Sequence, residues 1–139
     1  MSATSLFLFQ DRQEIFAAAL HGLADRPFAN PEFFTEEEIA PLKAAALALP
    51  FRKASPNVGN NVYQDFDICF PAPMEGVFAR LATGLEGLAA SMQAAHPQLF
   101  ESPVLINDFA VQHYPRNSAG IGIHKDALSY RNLVFIITL

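Results

Sequence analysis

The sequence predicts an α+β fold, with two or three N-terminal helices packed on one side of a mostly antiparallel sheet. Three observations predict it. Apolar residues recur at helical spacing in three stretches before residue 96. Polar and apolar residues alternate in 62–70, 104–114 and 121–126, the pattern of a half-buried strand. The run Leu133-Val134-Phe135-Ile136-Ile137-Thr138-Leu139 is continuously apolar, as in strands covered on both faces.

Composition bounds what such a fold does. A chain of 139 residues is one domain, long enough for a real core. Thirteen Phe and no Trp point to a Phe-rich interior. A net charge of −5 argues against a general grip on nucleic acid, which needs a basic field, and leaves room for a local basic groove. Cys69 is the single cysteine, so no intramolecular disulfide forms, and the cytoplasm is the expected compartment. Leu6-Phe7-Leu8-Phe9 is too short for a signal segment; no basic residue precedes it and Asp11 follows. No stretch reaches the roughly 20 apolar residues of a membrane span.

Taken in order, residues 4–9 read as an edge strand. A helix over 11–23 places Ile15, Phe16, Ala19, Leu20 and Leu23 on one stripe, with Asp11 and Glu14 in the first turn. His21 falls in its last turn, where the helix dipole favours a cation, and that role outweighs a metal role. Residues 25–31 form a loop containing Pro27 and Pro31. Thr35 and Glu38 form a capping box. Leu42, Ala45, Ala46 and Leu49 then make a buried stripe that Pro50 ends, and Glu36, Glu37 and Glu38 read as a solvated first turn. Residues 51–61 read as loop, locally basic at Arg52 and Lys53. A strand follows over 62–70, with Asp65 and Asp67 on its wet face, and Pro71 and Pro73 break it. The longest helix covers 74–95, with Val77, Phe78, Leu81, Leu85, Leu88 and Met92 as its stripe. Gly76, Gly84 and Gly87 weaken helix propensity, so close packing of this helix against a sheet is expected. His96-Pro97 ends it, with His96 as the C-cap.

The last third carries the chemistry. Asn107 to Tyr114 reads as a strand, Pro115 to Gly120 as a turn, and Ile121 to Asp126 as a second strand ending on His124-Lys125-Asp126. Residues two apart on a strand share a face, so His124 and Asp126 project together. One imidazole and one carboxylate are two thirds of the 2-His-1-carboxylate set that holds non-haem Fe(II).

From residue 107 onward the sequence resembles the first half of the catalytic core of Fe(II)/2-oxoglutarate-dependent dioxygenases, in the flavour of bacterial relatives of the DNA-alkylation-repair enzymes. Gln112-His113-Tyr114 stands where those carry Asn-x-Tyr. Gly120 and Gly122 supply the turn, His124 and Asp126 the metal pair, and Arg131-Asn132 lead into the apolar strand. The resemblance implies a partial double-stranded β-helix (jelly roll), with 1–102 as a helical support region holding one or two strands and 103–139 as the start of the core. It implies Fe(II) on His124 and Asp126, and 2-oxoglutarate near Tyr114 and Gln112. Tyr130 and Arg131 would touch substrate, and residues 57–63 would line the entrance. The implied reaction couples oxidative decarboxylation of 2-oxoglutarate to hydroxylation of a substrate C–H bond.

The family also needs a second His and a basic residue for the far carboxylate, both downstream on later strands. None of His21, His96 or His113 sits where that ligand comes from, so it is expected from outside residues 1–139. A full jelly roll has about eight strands, and the sequence offers four or five. The alternative is a non-catalytic module that keeps the scaffold for binding or oligomerisation, a homo-oligomer through the C-terminal strand being its simplest form. A cupin-like metal protein shares the fold class but wants more His. A hydrolase lacks support, since Gly-x-Ser-x-Gly does not occur. The acidic balance favours a small-molecule or protein substrate over a modified nucleobase.

Overall fold

Helix formation here follows from the caps and stripes of the sequence. The computed structural model describes residues 7, 9–26, 28–59, 61–100, 102–124 and 133–139. A 3-10 turn, Gln10–Arg12, leads into α1 (Gln13–Gly22), which buries Phe16 and Leu20. Ile15, expected on that stripe, faces solvent.

Helix α2 (Glu36–Leu47) starts on the capping box. The Glu38 N–H donates to Thr35 Oγ1 at 3.3 Å, and the Thr35 N–H donates to Glu38 Oε1 at 2.9 Å. The expectation of three solvated glutamates is corrected at Glu38, which is 4% exposed. Its reach back to the cap turns the carboxylate inward, where Arg12 Nη1 meets both oxygens at 2.7 and 3.0 Å. The Arg12 guanidinium also lies over the rings of Phe9 and Phe33, 5.2 and 5.6 Å from their centres.

Helix α3 (Gly76–Ala95) buries Val77, Phe78, Leu81, Leu85, Leu88, Ala89 and Met92. Its close approach at Gly84 is to the N-terminal segment rather than to a sheet: a Cβ there would lie 3.0 Å from the Phe9 ring and 3.2 Å from the Phe7 carbonyl oxygen. Phe7 and Phe9 are core residues; the rest of the expected edge strand, 4–6 and 8, lies outside the described residues.

Two small antiparallel sheets stand in place of one. The first has the order β1 (Arg52–Lys53), β4 (Asp67–Cys69), β5 (Val111–His113). The second has the order β2 (Asn57–Val58), β3 (Val62–Asp65), β6 (Gly120–Ile121). Two departures from expectation produce this. The stretch 51–61 is not all loop, because Arg52–Lys53 and Asn57–Val58 pair as short edges. The strand expected over 62–70 is split by a bend at Phe66, the most deeply buried Phe at 1% exposed. Its side chain packs on Tyr114 with ring centres 5.1 Å apart, and Asp65 and Asp67 are sent to different sheets. No closed barrel forms among the described residues.

The core lies between the helices and the extended segments. Phe7, Phe9, Phe16, Leu42, Leu81 and Leu88 are part of its buried centre. Val104, Ile106, Phe109 and Val111 pack on it from one extended stretch and Leu133, Phe135 and Ile137 from another. Phe109 meets Phe78 at 5.0 Å, and Phe135 stacks on Phe16 at 6.1 Å. The expectation that 133–139 is a strand covered on both faces is corrected. It joins no ladder among the described residues, and Val134 and Ile136 face outward, Ile136 being 86% exposed. Helices support one face of this segment, and no described element covers the other.

Candidate functional site

Sheet pairing positions the last third of the chain. In the first sheet Asp67 pairs with His113, Ile68 with Gln112, and Cys69 with Val111. Val111 and His113 therefore share one face, and Gln112 and Tyr114 the other. The Tyr114 hydroxyl donates to Gln112 Oε1 at 2.9 Å, so the two residues expected near 2-oxoglutarate are held together. Burial of the ring pushes the Tyr114 phenol above its ordinary value. On the opposite face His113 Nδ1 lies 3.7 Å from Asp67 Oδ2 and its ring 5.7 Å from Phe51.

The turn between the strands is clamped by Asp65. Its Oδ2 accepts the Ala119 N–H at 2.7 Å, and its Oδ1 accepts from Lys53 Nζ at 3.1 Å. The Ser118 hydroxyl donates to the Asp65 carbonyl and accepts the Gly120 N–H at 2.9 Å. Gly120 turns the chain with φ of +80°, a left-handed value that suits glycine. The backbone bond from Ala119, with help from Lys53, holds the Asp65 carboxyl below the usual range.

Beyond the turn, β6 pairs with β3 through Gln64 with Ile121 and Asp65 with Gly120. The Gly122 N–H continues the ladder to the Tyr63 carbonyl at 2.9 Å. A Cβ at Gly122 would sit 3.2 Å from the Tyr63 ring, so glycine allows this close approach. His124 then stands at the solvent-facing end of the run, its Nδ1 2.9 Å from the Gly122 carbonyl oxygen. A carbonyl only accepts, so this contact requires the proton on Nδ1 and leaves Nε2 as the basic nitrogen.

Of the six residues expected at the site, Gln112 and Tyr114 are brought together on the first sheet. His124 follows the second, two residues past the seat of Gly122 on Tyr63. Asp126, Tyr130 and Arg131 lie outside the described residues. Among the described residues no group of three or more His, Cys, Asp or Glu is placed to hold one metal ion. His21 and His96 meet each other at the ends of α1 and α3 instead.

Three contacts escaped the sequence reading: the Asp65 clamp, the Asp67–His113 pair, and the seat of Gly122 on Tyr63. Asp65 to Ala119, Asp67 to His113 and Tyr63 to Gly122 are each 46 or more positions apart, which no local pattern encodes; the first spans 54. No protein-family model matches the sequence, and no curated protein or solved structure is significantly similar to it. No described helix is long and apolar enough to cross a membrane.

Proposed function

We propose that the chain is an Fe(II)- and 2-oxoglutarate-dependent oxygenase, or the proximal part of one, with His124 and Asp126 as two of its metal ligands. The observation that carries this reading is the Nδ1 contact of His124 with the Gly122 carbonyl. Metal-binding imidazoles commonly donate their second N–H to a carbonyl or carboxylate, which fixes the tautomer and raises the basicity of the ligating nitrogen. The His124 imidazole is a donor type that suits Fe(II), and no group of three or more His, Cys, Asp or Glu surrounds it among the described residues. Bound Fe(II) with 2-oxoglutarate would supply the oxidising power for hydroxylating a C–H bond.

The chain's own residues would position the cosubstrate. With Gln112 Oε1 occupied by the Tyr114 hydroxyl, the Gln112 amide N–H groups are the donors left for a carboxylate. Tyr114 braces that amide, and its ring is fixed against Phe66. Tyr130 and Arg131 would contact substrate, a small molecule or protein side chain. The test is titration with Fe(II) and 2-oxoglutarate, measuring stoichiometry and succinate release, beside His124→Ala. One Fe(II) per chain and succinate formation, both lost in His124→Ala, are expected. Absence of any Fe(II)-dependent 2-oxoglutarate binding would end the reading.

A second reading is a non-catalytic binding or oligomerisation module. Leu105, Val134 and Ile136 favour it, because they point away from the core on extended segments whose alternate residues pack inward. Metal and 2-oxoglutarate binding without succinate would support this module over the enzyme.

A further inference from the structure

We propose that His21 and His96 form a second metal site, a two-imidazole clamp for a divalent transition ion of the zinc class. The site owes nothing to the oxygenase reading and lies on the helical layer. His21 is in the last turn of α1, and His96 is the C-cap of α3. Their ring centres are 5.4 Å apart with planes at 85°.

Two features of this place favour a cation. The first is the ring spacing. Two imidazoles bound through nitrogen to one tetrahedral ion, at a metal–nitrogen distance of about 2.1 Å, have centres about 5 Å apart. The rings now meet edge to face, so binding requires their nitrogens to turn toward one point, and His21 is exposed and able to turn. The second is the backbone. Two helices end here, and the partial negative charge at each C-terminus stabilises a positive ion between them. Imidazole suits zinc, copper and nickel rather than magnesium or calcium. With two protein ligands, solvent completes the coordination shell. Binding would tie the end of α1 to the end of α3 and so stabilise the fold by mass action.

The experiment uses the full chain in a His113→Ala, His124→Ala background, which removes the two other imidazoles. Zn(II) is titrated at about pH 7.5, because the metal takes neutral imidazole, and the melting temperature is followed. A rise of about 4 °C at ten times the dissociation constant is expected. His21→Ala and His96→Ala should each abolish it. In the unsubstituted pair, paramagnetic Ni(II) should broaden the ring proton signals of His21 and His96 together, a readout that does not depend on the variants folding. The proposal is overturned if Zn(II) leaves the melting temperature unchanged, if the rise survives loss of either histidine, or if Ni(II) leaves both ring signals sharp.

Discussion

Glu38 holds two structures at once: it completes the cap of α2 and neutralises Arg12 beneath Phe9 and Phe33. Removing one partner of a buried pair strands the other charge. Glu38→Ala should therefore cost about 3 kcal/mol in urea unfolding, whereas Glu37→Ala, on the exposed side of the same turn, should change stability by less than about 0.5 kcal/mol. Equal effects would show that the pair contributes nothing. Asp65 sets the acid behaviour of the turn before His124. Its carboxyl is held low mainly by the Ala119 N–H and next by Lys53. A carboxyl with a depressed folded value stabilises the fold above its unfolded value and loses that contribution as pH falls through the folded value. Stability should thus drop on acidification below about pH 4, and Asp65→Asn should flatten that part of the profile. A profile unchanged by Asp65→Asn would remove the clamp from the account. The capping box was legible in the sequence, since Thr35 and Glu38 are three apart; the Arg12 contact was not, because nothing near Glu38 in the chain announces it.

Helix α3 separates two glycines by what each faces. Gly87 has open space where a Cβ would go, while Gly84 has the Phe9 ring and Phe7 backbone at 3.0 to 3.2 Å. Alanine is the better helix former by about 1 kcal/mol. Gly87→Ala should therefore stabilise by up to about 1 kcal/mol. Gly84→Ala should destabilise by about 1–3 kcal/mol, because overpacking against backbone outweighs the propensity gain. Denaturant midpoints of the two variants should move in opposite directions; movement of both upward would mean that the Phe7–Phe9 segment yields easily. The helices themselves were readable from spacing, and α1, α2 and α3 begin within two residues of where the pattern starts them. The strands were less so. A continuous alternation over 62–70 carries no mark of the bend at Phe66, since that bend exists to bury a ring against Tyr114.

At the scale of the molecule, the extended stretches 104–111 and 133–137 lay one side of their alternating residues on the helices and leave the other side bare. This asymmetry makes a directional prediction. Phe135→Ala removes a ring stacked on Phe16 and should cost about 3 kcal/mol. Ile136→Lys, at an 86% exposed position, should leave stability nearly unchanged and reduce dye binding and self-association. Sedimentation velocity with thermal unfolding checks both; a large loss of stability in Ile136→Lys would place that residue in a covered interface. The candidate site was half legible at this scale. Residue types and the two-residue period singled out His124, and the family resemblance singled out Gln112 and Tyr114. Which sheet each would join depended on the Phe66 bend and the Asp65 clamp.

The strands expected over 107–114 and 121–126 shrink to 111–113 and 120–121, with His124 beyond the end of β6, whereas the three helices, the capping box of α2 and the mixed α and β character were written in the chain's local pattern. Those follow from periodicity, capping and turn chemistry, all of which act over a few residues. Tertiary structure alone decided that there are two small sheets, that Glu38 and Arg12 are joined, that Asp67 faces His113, and that His21 and His96 meet. These depend on which distant segments share the core, and a local pattern holds no information about a partner 26 to 75 positions away, as in the three pairs just named.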